Sequence, residues 1–202
     1  MIKPALQRPI RNNSVTNALI ALGSNLPRDT ALSKGIVIQA VAEIARRFGS
    51  APQLSRFYAT PAFPPGSGPD FVNAALVIPW ADTPEALLDL LHEIEEAFGR
   101  TRTDRWEARV LDLDLIALGQ AVRPDAETQA EWRALPLDRA AQETPGTLIL
   151  PHPRLQERAF VLVPLADVAP DWRHPLTGES VREMLEALPA EDLAEIRPIE
   201  GD

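Results

Sequence analysis

The segment from Gly99 to Leu115 carries the densest chemistry in the chain. Arg100, Arg102, Arg105 and Arg109 come just before Asp112 and Asp114, two carboxylates one residue apart. Guanidinium groups keep their charge and bind phosphate oxygens bidentately. Alternate residues of a strand share a face, so the two aspartates would project together with Cα atoms about 7 Å apart. Paired carboxylates of this kind suit magnesium, which takes one or two protein carboxylates and fills its shell with water and phosphate oxygens. The plainer reading is a solvated strand face beside arginines that pair with Asp104 and Glu107. Four arginines in a chain of net charge -9 favour an anion. No Walker A pattern and no Gly-x-Gly-x-x-Gly is present, so any nucleotide is held without a P-loop.

Other residues could serve the same site. His152 stands between Pro151 and Pro153, where a stiff backbone sets the ring direction. His92 falls within an apolar-periodic stretch and His174 in a late turn; both read as surface histidines, and the three make no zinc spacing. Phe71 and Asn73 would share a strand face, Phe160 opens a late apolar run, and Trp106 lies among the arginines. Two facing rings can stack a heteroaromatic while an amide reads its edge. Taken singly, each of Phe71 and Phe160 reads more readily as a core residue than as part of a slot.

The elements that must position these groups follow from periodicity. Ala18–Leu22 reads as a buried strand ended by Gly23-Ser-Asn25. Thr30–Phe48 has helical spacing, with Arg46 and Arg47 in its last turn and Gly49 as its stop. Leu54–Ala59 and Phe71–Trp80 read as strands joined by a proline-rich loop, and antiparallel pairing follows because no crossover helix separates them. Thr83 and Pro84 open a helix that Gly99 ends. Val110–Leu118 alternates as a strand. Ala159–Leu165 reads as a strand, Glu179–Leu188 as a short helix and Leu193–Ile199 as an edge strand. This mixture points to an α+β sheet with helices packed on it.

With 202 residues the chain is expected to form a single domain over 15–202 behind a frayed tail at 1–14, with an inserted segment at about 122–147 that has no assigned role. The absence of cysteine excludes disulfides and a thiol nucleophile and fits a cytoplasmic location. No apolar run approaches the roughly 20 residues of a membrane span. The acidic balance argues against coating nucleic acid. No membrane or nucleic-acid partner is expected, and a monomer is.

The chain resembles the 6-hydroxymethyl-7,8-dihydropterin pyrophosphokinases of folate synthesis. The resemblance is carried by Ala21-Leu-Gly-Ser-Asn25, Tyr58-Ala-Thr-Pro61, Asp70-Phe-Val-Asn-Ala-Ala75, Ile94-Glu95, Gly99-Arg-Thr-Arg102, Arg105-Trp106, Arg109-Val-Leu-Asp-Leu-Asp114, Leu150-Pro-His-Pro-Arg154, Arg158-Ala-Phe160 and Pro164-Leu165. It implies a ferredoxin-like, mainly antiparallel fold and transfer of the β,γ-diphosphoryl group of ATP, the co-substrate, to the pterin hydroxymethyl, with release of AMP. By position it implies Asp112 and Asp114 as ligands of two Mg2+ ions. Arg100 and Arg109 resemble the residues that steer the diphosphoryl group. Thr60, Pro61, Phe71, Asn73 and Phe160 resemble the pterin set. His92, Glu95, Arg102, Trp106, His152 and Arg158 fall at positions like the ATP-contacting set. Trp106-Glu-Ala-Arg109 departs from the family's Trp-Gly-Pro-Arg, and His92 stands where some members have glutamine. Two rival readings are a non-catalytic nucleotide or anion sensor and a single-stranded RNA binder.

Overall fold

The computed structural model describes residues 15–26, 30–61, 69–99, 110–136, 139 and 142–200. The tail at 1–14 and the arginine-bearing segment 100–109 lie outside these residues, and with them the expectations placed on Arg100, Arg102, Trp106 and Arg109.

The chain runs β1 (Thr16–Ser24), α1 (Thr30–Phe48), β2 (Gln53–Leu54), β3 (Tyr58–Thr60), β4 (Phe71–Trp80), α2 (Pro84–Ala97) and β5 (Asp112–Leu118). It continues through α3 (Ala126–Ala134), a short 3-10 turn (Leu155–Glu157), α4 (Ala159–Val168), α5 (Val181–Glu186), α6 (Ala190–Ala194) and β6 (Arg197–Pro198). The sheet order is β5-β1-β4-β3-β6, with β2 also pairing β4. Every pairing is antiparallel. With β2 and β3 taken as one interrupted strand, this is the ferredoxin-like connectivity of strand, helix, two strands, helix and strand.

Local chemistry explains most boundaries. The Thr83 side chain accepts from Ala86 N, Pro84 takes the first helical position, and Gly99 leaves α2 at φ 88°. Ser180 and Glu183 form a reciprocal capping box that starts α5. The expected strand at Leu54–Ala59 is interrupted. Ser55 N donates to Ala75 O, and Ala75 N donates to the Ser55 hydroxyl, so the side chain replaces a backbone acceptor and the strand kinks.

The edge strand expected over Leu193–Ile199 shrinks to Arg197–Pro198, because Leu193 and Ala194 close α6, and another expected strand is overturned outright. Ala159–Leu165 is not a strand but most of helix α4. The run is apolar on nearly every side, so periodicity could not separate a buried strand from a buried helix. The structure needs a helix there, because Val161, Leu162 and Leu165 must cover a second face of the sheet.

That sheet is covered on both faces, which is why β1 and β4 read as continuous apolar runs. On one face Ile20, Leu22, Leu76, Ile78 and Leu113 pack against Val37, Ala40 and Ile44 of α1 and Leu87, Leu91 and Ile94 of α2. On the other, Leu19, Ala21, Ala75, Val77 and Ile116 pack against α4 and α5. Among the described residues no helix is long and apolar enough to cross a membrane.

Candidate active site

Strand register assembles the site. In an antiparallel pair, directly opposed residues project to the same side. Gly23 of β1 is opposite Asn73 of β4 and also opposite Asp112 of β5. Ala21 is opposite Ala75 and Asp114 in the same way. Thr60 is opposite Phe71, and Tyr58 is opposite Asn73. Asn73, the bare position at Gly23 and Asp112 therefore form one row across the sheet, with Phe71 beside Asn73 and Asp114 beside Asp112. The row lies on the α4 face, at the end of the sheet beyond the apolar cluster under α4.

The row is built around a missing side chain. A Cβ on Gly23 would lie 2.9 Å from Asn73 Oδ1 and 3.6 Å from Phe71 Cδ1. Asn73 cannot easily give way, because its Nδ2 donates to the buried Thr60 hydroxyl at 2.6 Å. That bond also orients the amide. Pro61 follows at the end of β3, half-buried.

Asp112 and Asp114 are half-buried on this face, while Leu113 and Leu115 fill the core behind them. Two carboxylates are hard oxygen donors of the kind magnesium takes, with phosphate and water completing its shell. Among the described residues no group of three or more such side chains gathers to make an all-protein cage.

Arg158 precedes α4 and brings its Nη1 to 3.9 Å from Asp114 Oδ2, its guanidinium carbon also standing 5.6 Å from the Phe160 ring centroid. The α4 helix thus delivers Arg158 and Phe160 to the polar end of the sheet. Farther along, Tyr58 donates to Asp167 at 2.8 Å and Arg56 pairs with the same carboxylate, which ties α4 to β3.

The outer edge of β5 holds two further candidates. Glu95 is buried on α2, and its Oε1 accepts from Leu113 N at 2.7 Å. His152 N donates to Ile116 O at 2.8 Å. Its Nδ1 accepts from Arg154 N at 3.2 Å, so the ring proton sits on Nε2. Desolvation pushes the His152 imidazole down to about 3, the Arg158 and Arg154 guanidinium groups act in the same direction, and Asp112 opposes them. The ring is neutral at pH 7 and presents a single N–H. His92, one turn before Glu95 on α2, is half-buried and sits on the helix that packs against the opposite face.

The structure thus gathers Thr60, Phe71, Asn73, Asp112, Asp114, Arg158 and Phe160 at one end of one face, with Glu95 and His152 at the adjoining edge of β5. His174 departs from the surface role expected of it. It is 2% exposed, and its Nδ1 accepts from Leu176 N and Thr177 N inside its turn. Gly23 was legible only as a turn signal, since its role as a gap depends on partners in two other strands.

Against known proteins, residues 19–170 match the model of the 7,8-dihydro-6-hydroxymethylpterin-pyrophosphokinase (HPPK) family. This chain belongs to that family. A 2-amino-4-hydroxy-6-hydroxymethyldihydropteridine pyrophosphokinase of Methylorubrum extorquens is 36% identical over 86% of this chain and 94% of its own length. One of Synechocystis is 35% identical over 84% of this chain and 74% of its own. The fold is shared with solved structures at low identity. Plasmodium falciparum HPPK-DHPS, crystallised with pterin and p-hydroxybenzoate, matches with a TM-score of 0.57 and 12% identity, over 87% of this chain and 44% of that one. This HPPK chain spans less than half of such solved chains. Family membership makes it a pyrophosphokinase and removes both the non-catalytic sensor and the RNA binder.

Proposed function

We propose that this pyrophosphokinase transfers the diphosphoryl group of ATP to the hydroxymethyl of 6-hydroxymethyl-7,8-dihydropterin, releasing AMP, as a step of folate synthesis. The observation that carries this reading is the cross-strand row of Asn73, Gly23 and Asp112, an amide and a carboxylate on either side of a gap.

The residues divide the work. Phe71 and Phe160 supply ring faces for the pterin, and Asn73, held by Thr60, reads its edge beside Pro61. Asp112 and Asp114 would hold two magnesium ions, which when bound screen phosphate charge and polarise the attacking hydroxyl. The His152 Nε2–H donates to a phosphate oxygen, and Arg158 adds a cation on the same side. Glu95 pins the backbone between the two aspartates and thereby holds their shared direction. Arg100 and Arg109, with Arg102 and Trp106, take their phosphate-side roles from the family motif, and His92 takes an ATP-side role in the same way. No dedicated base is needed, because phosphoryl transfer is mostly positioning and charge stabilisation.

The test is AMP formation from ATP with and without the reduced pterin. Pterin-dependent AMP that disappears on chelation of divalent cations is expected. AMP release that ignores the pterin would overturn the reading. Arg109→Ala should slow turnover more than it weakens pterin binding, as read by steady-state kinetics beside calorimetry.

A further inference from the structure

The inserted segment, 122–147, has no role in the reading above. The structure attaches it at successive points to the short stretch that carries His152. Arg123 and Leu150 exchange two backbone hydrogen bonds, of 2.9 and 3.1 Å. Gln129 lies on α3, one turn past the Asp125 cap, and is fully buried. Its Nε2 donates to Pro151 O at 3.1 Å. Arg154 Nη1 donates to Leu135 O at 2.5 Å, just past the end of α3. Residues on both sides of His152 are therefore bound to the insertion, and His152 itself is bound to the edge of β5 through its own N–H.

Gln129 is the informative member. Pro151 offers only a carbonyl, so the amide nitrogen must face it and the amide orientation is determined. The Gln129 Oε1 is buried and finds no partner among the described residues. An amide satisfied on one side only contributes little net stability. What it does contribute is a fixed position for the carbonyl immediately before His152.

We propose that Gln129 is a positioning residue for His152, and that the α3 insertion serves as a brace holding the His152 Nε2–H toward the nucleotide phosphates. This rests on the reading of His152 as a phosphate contact. Gln129 itself touches no substrate. It acts through Pro151, whose backbone sets the entry direction of the histidine, while Arg154 N fixes the ring tautomer from the other side.

The test is a double-mutant cycle read by calorimetry with a non-hydrolysable ATP analogue and, separately, with the pterin. Gln129→Met fills similar volume and removes the donor. It should weaken the analogue by about fivefold to tenfold, the worth of one buried hydrogen bond. Pterin affinity should be unchanged. In a His152→Ala background Gln129→Met should weaken the analogue no further. Full additivity, an unchanged analogue affinity, or an equal loss of pterin affinity would overturn the proposal. If His152→Ala alone leaves the analogue bound as before, the phosphate role of His152 fails and the brace fails with it. That outcome is distinct from one in which only Gln129→Met is silent. Should Gln129→Met not fold, the wild-type chain still decides. The Gln129 side-chain amide resonance should shift when the ATP analogue is added and stay still with pterin, and a resonance unmoved by nucleotide overturns the proposal.

Discussion

The two faces of the sheet are made from alternate residues of the same strands, yet they do different work. On the α1/α2 face, Ile20, Leu22, Leu76, Ile78, Leu113 and Leu115 form an unbroken apolar layer. On the α4/α5 face, the apolar layer of Leu19, Ala21, Ala75 and Ile116 gives way to Gly23, Asn73, Asp112 and Asp114. Leu113 and Asp112 are neighbours in the chain and belong to opposite layers. Packing one face to the end of the sheet holds the strands in register. Stopping the cover short on the other leaves Gly23, Asn73, Asp112 and Asp114 beyond the apolar layer.

The difference can be broken deliberately. Asp114→Ala should cost the most on the functional side, lowering turnover by at least about a hundredfold, as for other lost charge-stabilising groups. Its thermal midpoint should stay near that of wild type. Near-normal AMP release by this variant would dissolve the distinction between the faces.

Leu76→Ala tests the opposite layer. Truncation of a fully buried leucine should cost about 2–5 kcal/mol in a urea melt, while the folded fraction keeps its turnover. A Leu76→Ala chain that is stable but inactive would show that the apolar face also shapes the site.

An acid titration reads buried groups outside the row. His174 is held down to about 4, chiefly by burial, with Arg133 adding to it. Between that value and its ordinary one the unfolded chain binds the proton and the folded chain does not. Stability is therefore fully present above about pH 6.5 and falls as the pH drops toward 4. The contribution is on the order of 3 kcal/mol at most. His152, held to about 3, acts in the same direction and extends the loss lower. Urea midpoints of wild type and His174→Asn at pH 7 and pH 4.5 check it. A variant exactly as acid-sensitive as wild type would remove His174 from the account.

Gly23→Ala probes the row itself and should have the smallest effect. The new methyl meets Asn73 Oδ1, which Thr60 holds in place. The pterin KM should rise about tenfold, the equivalent of one disturbed hydrogen bond, with the ATP KM within about twofold. Equal changes in both constants would mean that Gly23 serves only the strand.

Much of the fold was legible beforehand because its signals are local. The α1 bounds follow from a helical stripe stopped by Gly49, and those of α2 from Thr83, Pro84 and Gly99. The α4 segment was not legible, since a stretch that is apolar all round has no period to read. In the site, the shared side of Asp112 and Asp114 and of Phe71 and Asn73 followed from the two-residue repeat of a strand. Nothing local marked Gln129, an ordinary polar residue in a polar stretch, or showed that His174 is buried.

Sequence by itself determined which groups could do the chemistry and which of them share a strand face, because side-chain alternation is a property of one strand alone. Only the tertiary structure decided that Asn73 and Asp112 flank Gly23, that α4 carries Phe160 and Arg158 over that end, and that α3 props the His152 stretch. Those relations depend on register between strands and on burial against distant elements, and both arise from packing the whole chain at once.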